Sequence, residues 1–343
     1  MKLSTPRWWY ARDGRSGRVV RTLLRPVSWI WGWATARRIK AGQPLDPGIP
    51  VICVGNVTVG GAGKTPIVRE LLVQLTRHGQ KAHGLSRGHG GRLKGPVQVD
   101  PDRHSAADVG DEPLMLAQDF PVWVAQDRAA GVQAAAEAGA QVVVMDDGHQ
   151  NPSVRKSLSI VVVDGETRDG EWPFGDGAVF PSGPMREPLE SGLARADAVV
   201  VLMPPSAGAP DPDLLAELGD RPVLIARLEP AARAPAGPQL AFAGVGKPWK
   251  VERALREAGM ALVDFAPFPD HAEYDERTLE FLAAHARRQG ASLLTTEKDW
   301  VRLSPDWRTR IKAWPVRARF EDQAALDRLL GFERKPNPRK RRP

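Results

Sequence analysis

The residues of this chain best suited to chemistry begin with Thr58-Val-Gly-Gly-Ala-Gly-Lys-Thr65, a glycine-rich turn closed by a lysine and a hydroxyl. Gly60, Gly61 and Gly63 allow backbone angles and a closeness of approach in which successive N–H groups converge on phosphate oxygens. Lys64 supplies a mobile positive charge, and the Thr65 hydroxyl is a natural Mg²⁺ ligand. Thr58, Val59, Gly60, Gly61, Ala62, Gly63, Lys64 and Thr65 are therefore expected to cradle the phosphates of ATP. The usual loop starts with glycine five residues before Gly63, where this chain has Thr58. Downstream, four apolar residues, Val142 to Met145, end in Asp146-Asp147, the pattern of a buried strand delivering carboxylates to a metal bound beside a phosphate loop. Arg87, Arg128 and Arg186 follow strands or sit in irregular loops and are candidate phosphate contacts. Asp111 and Glu112 precede an alanine- and leucine-rich stretch, so both lie near a helix start, where capping is the alternative role. His271 follows Asp270 in a loop just before a helix. A histidine ionises near working pH, which suits the removal of a hydroxyl proton.

Positioning these groups requires alternating strands and helices. The apolar run from Val51 feeds the phosphate loop, Pro66 sits where a helix begins, and Ile67, Leu71, Leu72 and Leu75 give that helix one apolar face. Further strands are expected at the start of 82–91, where the chain then opens into a turn, at the start of 122–128, and at 142–145, 158–163, 198–202, 223–226, 240–245 and 292–295, with a helix over 275–289. The alternation predicts an α/β fold: a phosphate-loop (P-loop) nucleotide-binding sheet, mostly parallel and flanked by helices, with a second, smaller α/β domain. The expected divisions are an N-terminal segment 1–45, an ATP-binding domain 46–155, a C-terminal α/β domain 156–333 that completes the cleft, and a basic disordered tail 334–343.

Of 343 residues 42% are hydrophobic, enough for two cores, and the lone Cys53 in an apolar strand excludes an internal disulfide. The net charge of +7 is uneven, with basic ends on a net acidic body. That distribution speaks against a chain-wide nucleic-acid surface and for local contact with an anionic partner. Five of the eleven tryptophans, Trp8, Trp9, Trp29, Trp31 and Trp33, fall near the N-terminus among arginines. Arg21, Arg25 and Pro26 interrupt the only apolar run there, so the segment reads as an amphipathic helix lying in an anionic membrane surface rather than spanning it. No obligate protein partner is indicated.

Taken together, Thr58 to Thr65, Ser86-Arg-Gly88, Gly110-Asp-Glu-Pro113, Gln126-Asp-Arg128, Asp146-Asp-Gly148, Arg186-Glu-Pro188, Asp270-His271 and Thr295-Thr-Glu-Lys-Asp299 resemble, in order, the tetraacyldisaccharide 4'-kinases of lipid A synthesis. The family's loop starts with Ser or Thr, so Thr58 becomes expected. The resemblance implies transfer of the ATP γ-phosphate to the 4'-hydroxyl of an acylated disaccharide 1-phosphate at the cytoplasmic face of the bacterial inner membrane, by a peripheral enzyme. It implies Lys64, Asp111 and His271 as catalytic residues, with Asp111 within reach of His271, and it adds Glu187 to Thr65, Asp146 and Asp147 as Mg²⁺ ligands. The family commonly follows Asp-Asp-Gly with Phe-Gln-His, where this chain has His149-Gln150-Asn151. A membrane-associated partitioning ATPase is the alternative, but its additional lysine would stand at Val59. A GTP-dependent switch lacks its Asn-Lys-x-Asp base reader.

Overall fold

The computed structural model describes residues 6–15, 17–166 and 171–332. The tail expected over 334–343 lies outside them.

β1 (Val51–Gly55) is buried at every residue, because parallel strands covered on both faces are built from unbroken apolar runs. It pairs in parallel with β5 (Val142–Asp146) on one side and β6 (Leu158–Asp164) on the other. Beyond β5 lie β2 (Ala82–Ser86), β4 (Val122–Val124) and, antiparallel, the short β3 (Val97–Gln98). Beyond β6 lie β7 (Ala198–Met203), β8 (Val223–Pro230) and, antiparallel at that edge, β13 (Val316–Phe320). The neighbours of β1 leave it in opposite directions, and at such a switch point the crevice outside the carboxyl ends of the strands takes ligands. A second sheet, β10 (Leu262–Pro267), β9 (Gln239–Ala243), β11 (Ser292–Thr296) and β12 (Lys312–Trp314), is parallel throughout.

The domain boundary expected near residue 155 is corrected by this order. β6, β7 and β8 extend the nucleotide-binding sheet, and β13 returns to it after the second sheet is complete. The smaller domain is thus the insertion between β8 and β13. Its two connections run side by side, with the Ala231 N–H donating to Pro315 O at 2.9 Å.

Helix α1 (Arg18–Lys40) contains Pro26 without being ended by it. Its buried stripe is Arg21, Ser28 and Thr35, at heptad spacing and polar, whereas Leu23 and Trp29 are each 73% exposed and Val19, Ile30 and Trp33 also face outward. Helix α2 (Lys64–Arg77) is ordinary by comparison, burying Ile67, Leu71, Leu72 and Leu75 against the large sheet. Among the described residues, no helix is long and apolar enough to cross a membrane.

Candidate active site

The phosphate loop leaves β1 and enters α2 through Gly60 and Gly63, at φ +107° and +76°, angles a side chain would resist. Its first turn is anchored from outside: Val59 N–H donates to Pro184 O at 2.6 Å and Arg186 Nε donates to Thr58 O at 2.9 Å. Inside, the buried Asn56 clasps the loop, its Nδ2 reaching Thr58 Oγ1 and Gly60 O and its Oδ1 accepting from Lys64 Nζ at 3.4 Å. Among the described residues no acceptor takes the N–H of Gly60, Gly61, Ala62 or Gly63, so these donors remain for an anion.

Asp146 ends β5, and its Oδ2 accepts from Thr65 Oγ1 at 3.3 Å. Its Oδ1 is buried with no hydrogen-bond partner among the described residues. Burial, and then the charge of Glu112, push this carboxyl up to about 7, with Lys64 opposing. A buried carboxylate with one orphaned oxygen, beside a threonine hydroxyl, fits a divalent cation: Thr65 and Asp146 would hold Mg²⁺, whose charge would stabilise the anionic form.

Asp147 has a different environment. Its side chain is 40% exposed; the surrounding protein's desolvation would raise it, but Lys64 Nζ at 3.7 Å and the two-pronged Arg186, at 2.7 and 3.2 Å, hold it down at about 2. Glu187 is buried, with Arg195 on both its oxygens at 2.6 and 2.7 Å and Gln150 at 3.0 Å. The metal set read from the sequence is therefore divided: Thr65 and Asp146 meet, while Asp147 and Glu187 are each engaged by an arginine. No cluster of three or more His, Cys, Asp or Glu able to hold a metal occurs among the described residues. Phosphate oxygens and water would complete the shell, as is usual for Mg²⁺.

Of the three candidate arginines, Arg186 spans the loop and Asp147. Arg128 is buried at a helix start with its Nε unpartnered among the described residues, held down to about 10 by burial and by the charge of Arg87. Arg87 itself is exposed. His149, where the family commonly has Phe, faces the protein interior. It is buried against Gly55, with Nε2 2.8 Å from Gly192 O and Nδ1 3.2 Å from Ser159 Oγ, and burial depresses it to about 4. Asn151 accepts from the Ser153 N–H and Oγ, an ordinary turn.

The pairing of Asp111 with His271 is present, and it crosses between the two sheets. Asp111 begins the helix Asp111–Leu116 beside the large sheet, and His271 follows β10 of the smaller one. His271 Nδ1 lies 3.1 Å from Asp111 Oδ2. Two residues to which the sequence reading gave no role stand beside the pair. Arg302 donates through Nε to the same oxygen at 2.8 Å and through Nη2 as well, and is itself braced by Asp299 Oδ1 at 2.9 Å. Lys298 Nζ stands 3.2 Å from Glu112, 3.3 Å from Asp270 and 3.4 Å from His271 Nε2. Burial opposes ionisation of Asp111, but the hydrogen bond from His271 and the charges of Lys298 and Arg302 hold it well below the usual carboxylate range. A cavity of about 280 Å³ joins the halves, lined by Thr58 to Ala62 of the phosphate loop, Asp164, and Lys247, Phe268 and Asp270 of the smaller domain.

Residues 20–333 match the family model described as Tetraacyldisaccharide-1-P 4'-kinase, LpxK. The chain belongs to the tetraacyldisaccharide 4'-kinase family. A Tetraacyldisaccharide 4'-kinase of Caulobacter vibrioides is 68% identical over 330 residues, 96% of this chain and 98% of that protein. The kinase of that name from Hyphomonas neptunium is 43% identical over 342 residues, 98% and 100% of the two chains. A crystal structure of the kinase LpxK from Aquifex aeolicus in complex with ATP superposes with a TM-score of 0.72 at 25% identity, covering 91% of this chain and 98% of the other.

The environment of Asp146 in this kinase has a measurable consequence. Without metal, the folded state keeps the carboxyl proton up to about pH 7, whereas an unfolded Asp releases it near pH 4. The stability linked to that proton is full below about pH 4 and is lost as pH rises through 7. Asp146→Asn should therefore raise the metal-free Tm by a few degrees above pH 7, with the gain vanishing toward pH 4. Calorimetry across that range checks this, and a difference that does not vary with pH would contradict it.

Proposed function

We propose that this chain transfers the γ-phosphate of ATP to the 4'-hydroxyl of tetraacyldisaccharide 1-phosphate, giving the 4'-phosphorylated lipid A precursor. The observation that carries the reading is the Asp111–His271 pair, next in the chain to Asp270, which lines a cavity together with Thr58 to Ala62 of the phosphate loop. Phosphoryl transfer to an alcohol needs a phosphate cradle, charge compensation and a proton acceptor. An ATPase needs no acceptor-specific base on a second domain.

Asp111 is held as an anion, so it accepts a hydrogen bond and His271 Nδ1–H donates it, which leaves Nε2 as the basic nitrogen. Nε2 itself stands 3.4 Å from Lys298 Nζ and 3.7 Å from Asp270 Oδ1. In the reaction His271 Nε2 takes the hydroxyl proton, the freed oxygen bonds to the γ-phosphorus, and the bond from that phosphorus to the leaving ADP oxygen breaks. Asp111 orients the ring and stabilises the imidazolium that forms. Lys64 and the amides of Gly60 to Gly63 carry the charge of the transferring group. Bound Mg²⁺ supplies further charge neutralisation at the phosphates. Arg87, Arg128 and Arg186 are the cations placed to contact ATP or the lipid phosphate.

Helix α1 supports a membrane-bound acceptor. Its apolar residues point away from the protein and its polar stripe points in, the reverse of a helix packed for water. Together with Arg25, Arg37, Arg38 and Lys40, this is a surface for an anionic leaflet, and the enzyme is read as peripheral on the cytoplasmic face of the inner membrane.

Two outcomes are expected. Given γ-labelled ATP and tetraacyldisaccharide 1-phosphate, the chain should place label on the lipid at the 4' position; label released only as inorganic phosphate would favour the ATPase reading. Replacing Trp29 and Trp33 with serine should reduce co-sedimentation with anionic vesicles and raise KM for the lipid at least several-fold while leaving KM for ATP near its original value. Unchanged sedimentation would remove α1 as the membrane contact.

A further inference from the structure

The residues before α1 do more than lead into it. In Arg7–Tyr10 the chain turns back on the phosphate loop, and Tyr10 Oη donates to Val59 O at 3.2 Å. The same hydroxyl would stand 3.3 Å from a Cβ on Gly60, and Lys247 Nζ lies 5.1 Å from the centre of the Tyr10 ring. With Pro184 O taking the Val59 N–H, both backbone polar groups of Val59 are held by residues outside the loop. A peptide unit is planar, so fixing the Val59 carbonyl also fixes the direction of the Gly60 N–H, the first of the amides left for phosphate.

The second anchor also traces back to α1. Pro184 lies in the segment 176–186, which carries the polar stripe of that helix. Ser28 Oγ donates to Ser182 Oγ at 2.7 Å and accepts from the Ser182 N–H at 3.1 Å, and Ser182 Oγ donates to Arg21 O at 3.2 Å. The buried Arg21 pairs with Asp176 and donates to Trp8 O. Phe180 packs against Trp9 and Trp31 at ring distances of 5.8 and 4.9 Å. Trp31 Nε1 donates to the carbonyl of Arg186, the residue that binds Thr58 O and Asp147. The inward face of α1 is thus polar because it holds the segment that holds the loop.

We infer that Tyr10 and the Ser28–Ser182 contact are positioning elements of the nucleotide site. Tyr10 presets the amides of the loop through Val59, and ATP affinity depends on the seating of the N-terminal segment. This rests on ATP binding by the loop and is independent of which acceptor is phosphorylated. It also means that truncating the N-terminus would disturb ATP binding together with membrane contact, so the two are separable only by point substitutions.

The test uses the full chain in neutral detergent, without vesicles, and measures Kd for a fluorescent ATP analogue, KM for ATP and for lipid, kcat and Tm. Tyr10→Phe removes the hydroxyl that donates to Val59 O and retains the ring. It should raise the analogue Kd and KM for ATP about three- to tenfold, the scale of one such bond, with the loss falling on KM rather than kcat and with KM for lipid and Tm little changed. Ser28→Ala should shift the same quantities in the same direction. Less than a threefold change in ATP affinity in both variants would overturn the inference, as would a loss that only follows Tm. Since Kd is read without the acceptor, absence of phosphate transfer would count against the proposed reaction and leave this result interpretable.

Discussion

The site depends on the neutralisation of Asp111. A carboxylate that is this deeply buried is costly unless cations and donors surround it, and here Arg302, His271 and Lys298 all come from the smaller domain. The large sheet's domain contributes the anion and the inserted domain its partners, so the ion pair ties the two domains together. Arg302 is in turn fixed by Asp299, which also accepts from Tyr274 Oη at 2.7 Å and from the Gly244 N–H at 3.1 Å. These contacts anchor the cation to β9 and β11. Arg69 of α2 reinforces the junction through Glu297 at 2.7 Å.

Backbone strain is concentrated in the same place. Among the described residues only two that are not glycine have positive φ, Asp147 at 52° and His271 at 56°. Such conformations cost roughly 1–3 kcal/mol each and persist where surrounding contacts over-determine them. Asp147 is held by Lys64 and Arg186, and His271 by Asp111 and by its own N–H donating to Asp270 Oδ1 at 3.0 Å. Each therefore sits in a sharp turn on the carboxyl-terminal side of a strand, β5 and β10 respectively.

The sequence made strands and phosphate loop readable because buried parallel strands are continuous apolar runs and the loop chemistry is local. Sheet membership was not readable. Nothing in Leu158–Asp164 distinguishes an edge of a new domain from the neighbour of β1, and β13 joins its sheet only through pairing with β8, far away in sequence. Arg302 was missed for the same reason: it is one of many arginines, and its partner Asp111 lies 191 residues earlier. The three-residue spacing from Asp299 was the only local sign of it. Glu187 entered through family resemblance alone, which records residue identity but not that Arg195 occupies its carboxylate.

The central claim is that one carboxylate–histidine unit, assembled across two sheets, draws off the acceptor proton. The most direct measurement is kcat at saturating ATP and lipid for Asp111→Asn, His271→Ala and the double variant. A unit predicts that each single change lowers kcat about 100-fold or more with ATP binding near normal, and that the double variant is little worse than the poorer single. Losses that multiply independently, or a near-normal kcat in either single variant, would contradict it.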